Sequence, residues 1–259
     1  MGRALIGGLL RSGSRAEAIS VGEQLAPARM AIARDFGVSA QGDNARAVEG
    51  ATLVVLAVKP ADAEGVLRPL AAQLAASRPL VLSVCAGVRL AALENWAGSG
   101  VPVVRAIPNR PALVGAGVSA LYAPDSVNAH ARSAAEETLR AVGEVVWVDS
   151  EDALDAVTAL SGSGPAYFFL LTQLLGEAGA ALGLEAATAR RLALATLYGS
   201  ALMTQADGDV ERLRAEVTSK GGTTAAAVRV FEEADLRGTV RAALAAAAAR
   251  SRELGANQS

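Results

Sequence analysis

Two short segments hold most of the residues in this chain whose types and spacing could do chemistry. They are Val217-Thr218-Ser219-Lys220-Gly221-Gly222-Thr223-Thr224 and Thr158-Ala-Leu-Ser161-Gly-Ser163-Gly164-Pro165-Ala-Tyr167. Both are rich in glycine and hydroxyl side chains, and both interrupt an alanine-heavy, helical half of the sequence. Glycine costs a helix interior about 1 kcal/mol relative to alanine, so such clusters mark places where the backbone must approach something closely. Ser219 to Thr224 reads as a loop entering a helix, where N–H groups lack partners and the dipole favours an anion. Gly221 and Gly222 permit close approach, and Ser219 and Thr223 add hydroxyl or amide donors. An ordinary capped helix start is the competing reading of these residues. In the other segment Pro165 suits a helix's first turn and Ser163 or Gly164 its cap, which predicts a break before residue 164.

The missing residue types narrow the chemistry. His130 is the only histidine and lies in a polar segment, so any mechanism works without imidazole. Cys85 stands alone, and no CxxC pair or histidine cluster offers ligands, so no metal is expected. A net charge of −2 without a basic block argues against nucleic acid and against an anionic membrane surface. No stretch has the apolar length of a membrane span, and the front lacks a signal-peptide pattern. These features together read as a cytoplasmic protein.

The elements that must position the two segments follow from the apolar pattern. With 52% apolar and 3% aromatic residues, the core must be built from Ala, Val and Leu. Residues 3–11 read as a helix with small residues on a packed face, 18–21 as a strand and 26–36 as a helix. Apolar strands are predicted at 52–58, 80–84, 101–107, 119–122 and 144–147. Near-continuous apolar strands separated by helices require a parallel sheet covered on both faces. The expectation is a doubly wound α/β domain over 1–149 and an all-α domain over 150–259. Within the latter, helices are expected at 151–161, 164–182, 186–206, 223–233 and 237–254, with a frayed tail from Gly255. Phe168, Phe169, Leu170, Leu171, Leu174 and Leu175 are more than this half can bury, so dimerisation through its helices is expected.

Doubly wound sheets bind ligands at the carboxyl ends of their strands. Ala57-Val58-Lys59-Pro60, Cys85-Ala86-Gly87 and Pro108-Asn109 all fall at such ends. Asn44 precedes a helix, and could cap it or contact an adenosine. Singly these are a strand end, a turn and a cap; their common address on one sheet edge favours a shared ligand.

The glycine- and hydroxyl-rich segments, with 57–60 and 107–117, make the chain resemble the pyrroline-5-carboxylate reductase family, which makes proline. The resemblance covers nearly the whole chain. It implies a Rossmann-like dinucleotide domain, an NADPH or NADH cofactor, and reduction of a cyclic imine bearing a carboxylate. It carries cofactor contact to Asn44, to Ala57, Val58, Lys59 and Pro60, to Cys85, Ala86 and Gly87, and to Asn109. Cys85 is then a groove residue by position and not a reactive thiol. It places the substrate at Ser219, Gly221, Gly222, Thr223 and Thr224, with the Thr224 hydroxyl on the imine nitrogen. Glu151 matches an acidic position near that site, although a first-turn carboxylate favoured by the helix dipole is the plainer reading. The resemblance also implies a homodimer, with rings of dimers as a further step.

Several positions depart from the family pattern. Family members open with a strand and a GxGxMG turn, whereas here Met1-Gly2 match only the last two residues of that fingerprint, leaving Gly2 as its cofactor contact. The missing strand is central, and about six buried residues at roughly 1.5–3 kcal/mol each amount to about 10 kcal/mol. That is comparable with a whole domain's stability, so poor folding and weak pyrophosphate binding are expected of the chain as written. An internal Met recorded as the start is the favoured account, and a non-catalytic oligomeric remnant the alternative. Glu23 follows a strand where an acid accepts from a ribose 2′-OH, which tilts the chain towards NADH, with a solvated loop charge as the competing reading. Lys220 stands where the family usually has proline, and Arg110 where it usually has threonine. A 3-hydroxyacid dehydrogenase, which needs a lysine on a long helix, is disfavoured because only Lys59 and Lys220 exist.

Overall fold

The computed structural model describes residues 1–256. The chain opens with α1 (Gly2–Arg11), β1 (Ser20–Gly22), α2 (Ala26–Phe36), β2 (Ser39–Gln41), α3 (Asn44–Ala47) and β3 (Leu53–Leu56). There follow α4 (Ala63–Leu67), α5 (Ala71–Ser77), β4 (Leu80–Ser83), α6 (Leu90–Ala97), β5 (Val103–Pro108), β6 (Gly117–Tyr122), α7 (Ala129–Arg140) and β7 (Gly143–Trp147). Helices α8 (Ala153–Val157), α9 (Gly164–Ala181), α10 (Ala186–Asp207), α11 (Val210–Glu216), α12 (Thr223–Glu233) and α13 (Leu236–Ala256) complete it.

Apolar residues alternate between the two faces of the main sheet, and each face is covered. Leu80, Leu82, Val104 and Ala106 pack with Ala4 and Leu5 of α1 and with Ala131, Ala135 and Leu139 of α7. Their neighbours Val81 and Val103 pack on the opposite side with Leu67, Leu74 and Leu93 of α4, α5 and α6. This is the doubly wound arrangement, and its core is aliphatic as the composition requires.

The strands form two sheets. β1 and β2 pair in parallel, and a separate sheet runs in the order β3-β4-β5-β6-β7. β1 and β3 are not bonded to each other; residues 20–22 and 53–56 line one cleft of about 2110 Å³. The expectation of an all-parallel sheet needs correction at one joint, because β5 and β6 pair antiparallel. Their connection holds only a 3₁₀ turn at Arg110–Val114, and a parallel crossover needs about a dozen residues or more.

Contacts divide the chain into two compact units, Gly164–Ala245 and the remainder of the chain on either side. The division thus falls later than the expected 149/150 boundary. Residues 150–163 belong with the sheet: Leu154 is buried with Ile107 of β5 and Ala120 of β6. The break expected before residue 164 is a π turn over Thr158–Gly162, in which the Ser163 N–H donates to Thr158 O at 2.9 Å. The hydroxyls of Thr158 and Ser161 bond back to Leu154 O and Val157 O, a habit that bends helices rather than ending them. Gly255 and Ala256, expected to begin a frayed tail, belong instead to α13, where Gly255 is buried; the rest of that expected tail, 257–259, lies outside the described residues. In the second unit Phe168, Phe169, Leu170 and Leu171 of α9 are each about half exposed or more on a single chain.

Helix α1 shows why its small residues matter. A Cβ on Gly8 would stand 2.5 Å from Ala141 O and from Val142 Cγ1. Alanine gains about 1 kcal/mol of helix propensity over glycine, but forced overpacking costs about 1–3 kcal/mol. Gly8→Ala should therefore destabilise the fold, whereas Gly65→Ala in α4, which meets nothing within 4 Å, should stabilise it. Urea melts of the two variants check the opposite signs.

Candidate active site

The carboxyl ends of β1, β3 and β5 open on the cleft, and β3, β4 and β5 run parallel to one another. Gly2, Glu23, Asn44, Ala57, Val58, Lys59 and Asn109 all line it, together with Arg110. Gly2 begins α1, so that helix presents its unpaired N–H groups there. Glu23 follows β1, and its Oε1 accepts the Leu25 N–H at 2.9 Å, which fixes the carboxylate at the strand end. Asn44 is not the cap that its position suggested. Asp43 caps α3 by accepting from Ala45 N, and the Asn44 amide lies across Gly22, where a Cβ would overlap its Oδ1.

Pro60, Cys85, Ala86 and Gly87 lie outside the lining of the cleft. Pro60 opens a 3₁₀ turn beside it. The Cys85 thiol is buried and donates to Leu56 O at 3.5 Å and Val58 O at 3.3 Å, so it holds the 57–59 loop from beneath. Burial pushes this thiol above its usual pKa, so it stays protonated and unreactive at neutral pH. Ala86 is exposed, and Gly87 takes a φ of 78° against the end of α13.

Asn109 is buried and already committed to the fold. Its Oδ1 accepts the Val118 N–H at 3.0 Å, and its Nδ2 donates to Ser161 O at 3.1 Å. Pro165, four residues beyond Ser161, has no N–H to offer that carbonyl, and the Asn109 amide satisfies it instead.

The polar groups around the cleft suit a dinucleotide: a helix N-terminus with Lys59 and Arg110 for phosphates, and Glu23 for a ribose hydroxyl. Neither lysine stands on a long helix, since Lys59 precedes the 3₁₀ turn and Lys220 sits in a loop. Among the described residues no group of three or more His, Cys, Asp or Glu could hold a metal ion.

In the second unit, Ser219 to Gly222 form a tight turn ahead of α12. The Gly222 N–H donates to Ser219 O at 3.0 Å, and Gly221 takes a φ of 76°, which the third position of a type II turn demands. The first helical bond is Ala226 N–H to Gly222 O, which leaves the N–H groups of Thr223 and Thr224 free. Gly222 is the N-cap without any side-chain bond, and a Cβ on it would stand 2.5 Å from Ser219 Oγ. Thr224 is half-buried one residue inside the helix, so its hydroxyl and those free N–H groups share one end of α12.

Glu151 belongs to the first unit and is engaged there. Its Oε1 accepts the Leu90 N–H at 2.6 Å and pairs with Arg105 of β5. Burial pushes the Arg105 guanidinium below its ordinary pKa, against the pull of Glu151. Sequence reasoning passed over Arg105, although a charge inside Val-Val-Arg-Ala-Ile was itself the sign that a partner must exist.

The chain is 44% identical over 255 residues to the pyrroline-5-carboxylate reductase of Pseudomonas aeruginosa, covering 98% of this chain and 93% of the relative. This chain belongs to the pyrroline-5-carboxylate reductase family. Residues 151–254 match the family model described as pyrroline-5-carboxylate reductase dimerisation, and 1–87 the one described as NADP oxidoreductase coenzyme F420-dependent. A solved pyrroline-5-carboxylate reductase from Coxiella burnetii superposes with a TM-score of 0.94 at 39% identity, covering 98% of this chain and 94% of that one. That of Plasmodium falciparum, solved with NADP bound, gives a TM-score of 0.84 at 29% identity, with 98% and 94% covered. Within this family the present chain carries a dimerisation region, and no described helix is long and apolar enough to cross a membrane.

The turn explains one departure from the family pattern. Lys220 is the second residue of the turn, where proline presets the required φ, and its N–H is not used. Lys220→Pro should raise stability by about 0.4–1 kcal/mol. A fall in melting temperature would mean that the backbone at 220 departs from the type II geometry.

Proposed function

We infer that this chain reduces 1-pyrroline-5-carboxylate to L-proline with NADPH or NADH. The observation that carries the reading is the 44% identity to a pyrroline-5-carboxylate reductase across 98% of the chain. The nicotinamide supplies hydride to the imine carbon. The protein must hold a carboxylate, hydrogen-bond the ring nitrogen and keep the cofactor's phosphates and ribose in place.

The N–H groups at the start of α12, with Ser219, Gly221, Gly222 and Thr223, take the substrate carboxylate. This assignment draws support from the unpaired N–H groups of Thr223 and Thr224 and from the helix dipole. Thr224 donates its hydroxyl to the imine nitrogen. A threonine is a poor acid, so it polarises the C=N bond and relays a proton from water rather than giving up its own. Gly2, Asn44, Ala57, Val58 and Lys59 hold the cofactor, with Pro60, Cys85, Ala86, Gly87 and Asn109 shaping the loops around it. Glu23 takes the adenosine ribose hydroxyls and disfavours a 2′-phosphate. Glu151 acts on the site at one remove, through the elements it ties together.

The exposed apolar residues of α9 support a homodimer built through the helical unit, and rings of such dimers are the further assembly we propose. The single free cysteine fits a reducing, cytoplasmic setting. A non-catalytic oligomer is not favoured.

Oxidation of NADPH or NADH by the purified chain, dependent on pyrroline-5-carboxylate and yielding proline, tests the reading. Thr224→Ala should lower kcat about 10- to 100-fold, the worth of one hydrogen bond in the transition state, with the KM for cofactor nearly unchanged. Equal losses in both would remove Thr224 from its role. Glu23→Ser should raise the NADPH-to-NADH ratio of kcat/KM about tenfold or more. A flat ratio would make Glu23 a turn residue only.

A further inference from the structure

A polar cluster in the first unit, buried at Asp155 and Ser251, partly exposed at Arg89 and open to solvent at Asp152, is used by neither the cleft nor the Ser219–Thr224 turn. Three acids following β7 converge on the start of α6 and the end of α13. Arg89, the residue before α6, donates Nη1 to Asp152 Oδ1 at 2.7 Å and Nη2 to Asp155 Oδ2 at 3.2 Å. The other oxygen of Asp155 accepts the Ser251 hydroxyl of α13 at 2.6 Å, and both residues are buried. Next to Arg89, the Leu90 N–H is held by Glu151, which is itself paired with Arg105. One turn further along α13, Gly255 lies against the Gly87 backbone. A Cβ on Gly255 would stand 3.2 Å from Gly87 O and 3.5 Å from Arg89 Nε.

These contacts fix the Ala86–Gly87 turn from one side. Gly87 is pressed on α13, and Arg89, two residues later, is tied to α8 and through Asp155 to the same helix. A buried ion pair is a poor way to gain stability, because apolar packing of the same volume serves as well or better. Its advantage is a single fixed geometry, and the geometry fixed here is that of a turn at the carboxyl end of β4.

We propose that Arg89, Asp155 and Ser251 are positioning residues that hold the Ala86–Gly87 turn in the conformation that receives the nicotinamide cofactor. This rests on the reading above that Cys85, Ala86 and Gly87 shape the cofactor's surroundings. None of the three touches cofactor or substrate; they act through the turn.

The test measures KM for the preferred cofactor, kcat and melting temperature on the full chain carrying Ser251→Ala, Ser251→Thr, Arg89→Lys or Ala86→Phe. Ser251→Ala and Arg89→Lys should each raise the cofactor KM about tenfold, as loss of one charge-assisted hydrogen bond does, with a much smaller change in kcat. Ser251→Thr keeps the donor and should restore the KM. A lowered melting temperature with an unchanged KM, in whichever of Ser251→Ala and Arg89→Lys folds, would overturn the proposal and leave the cluster a purely structural one. Ala86→Phe, on the exposed residue of the turn, separates the two readings. If it raises the KM while the other variants do not, the turn meets cofactor but the cluster does not position it. If it too leaves the KM unchanged, the cofactor reading of the turn falls and the proposal falls with it.

Discussion

The buried pair of Arg105 and Glu151 is the interaction on which the rest of the first unit depends. A guanidinium in the middle of an apolar strand must be neutralised where it stands, and breaking such a pair by removing one partner costs about 3–5 kcal/mol. Arg105 lies on β5, between β4 and β6, and the same Glu151 oxygen also takes the Leu90 N–H. One carboxylate therefore fastens the sheet, the start of α6 and the segment leading into α8. The strand-end loops at 85–87 and 108–109 hang from these elements. Asp152 and Asp155 extend the same attachment to Arg89, and Ser251 carries it to α13.

The candidate chemistry comes from backbone groups that secondary structure leaves unpaired. The N-terminus of α1 faces the cleft, and the N-terminus of α12 follows the Ser219–Gly222 turn. With one exposed histidine, a buried thiol of raised pKa and, among the described residues, no acidic cluster for a metal, few side chains are able to move protons. Hydride reduction of an imine asks little of them. It needs an anion site, a hydrogen bond to nitrogen and a cofactor held in place, and dipoles and glycine turns meet these demands without an ionisable catalyst.

Much of this was legible in the sequence because the signals are local. Gly221-Gly222 marked a loop entering a helix, and the apolar runs at 80–84 and 101–107 marked buried strands to within two residues. What depends on distant partners was not legible. Nothing near Cys85 says that its thiol turns inward to Leu56 O and Val58 O, nor that Gly87 meets Gly255. Asn109 reads as a strand-end polar residue, whereas its amide compensates for the missing N–H of Pro165, more than fifty residues away. The antiparallel joint between β5 and β6 follows from loop length, which the apolar pattern does not weigh. Arg105 was visible as a charge in a strand, but only the fold names Glu151 as its partner.

The central claim is that this chain passes a hydride to the imine carbon of pyrroline-5-carboxylate. The most direct measurement uses NADPH and NADH carrying deuterium at the transferable C4 position and reads the product by mass spectrometry and NMR. The account predicts proline with one deuterium at C5, the former imine carbon, formed in step with cofactor oxidation. Cofactor oxidation without labelled proline, or no substrate-dependent oxidation by either nucleotide, would contradict it.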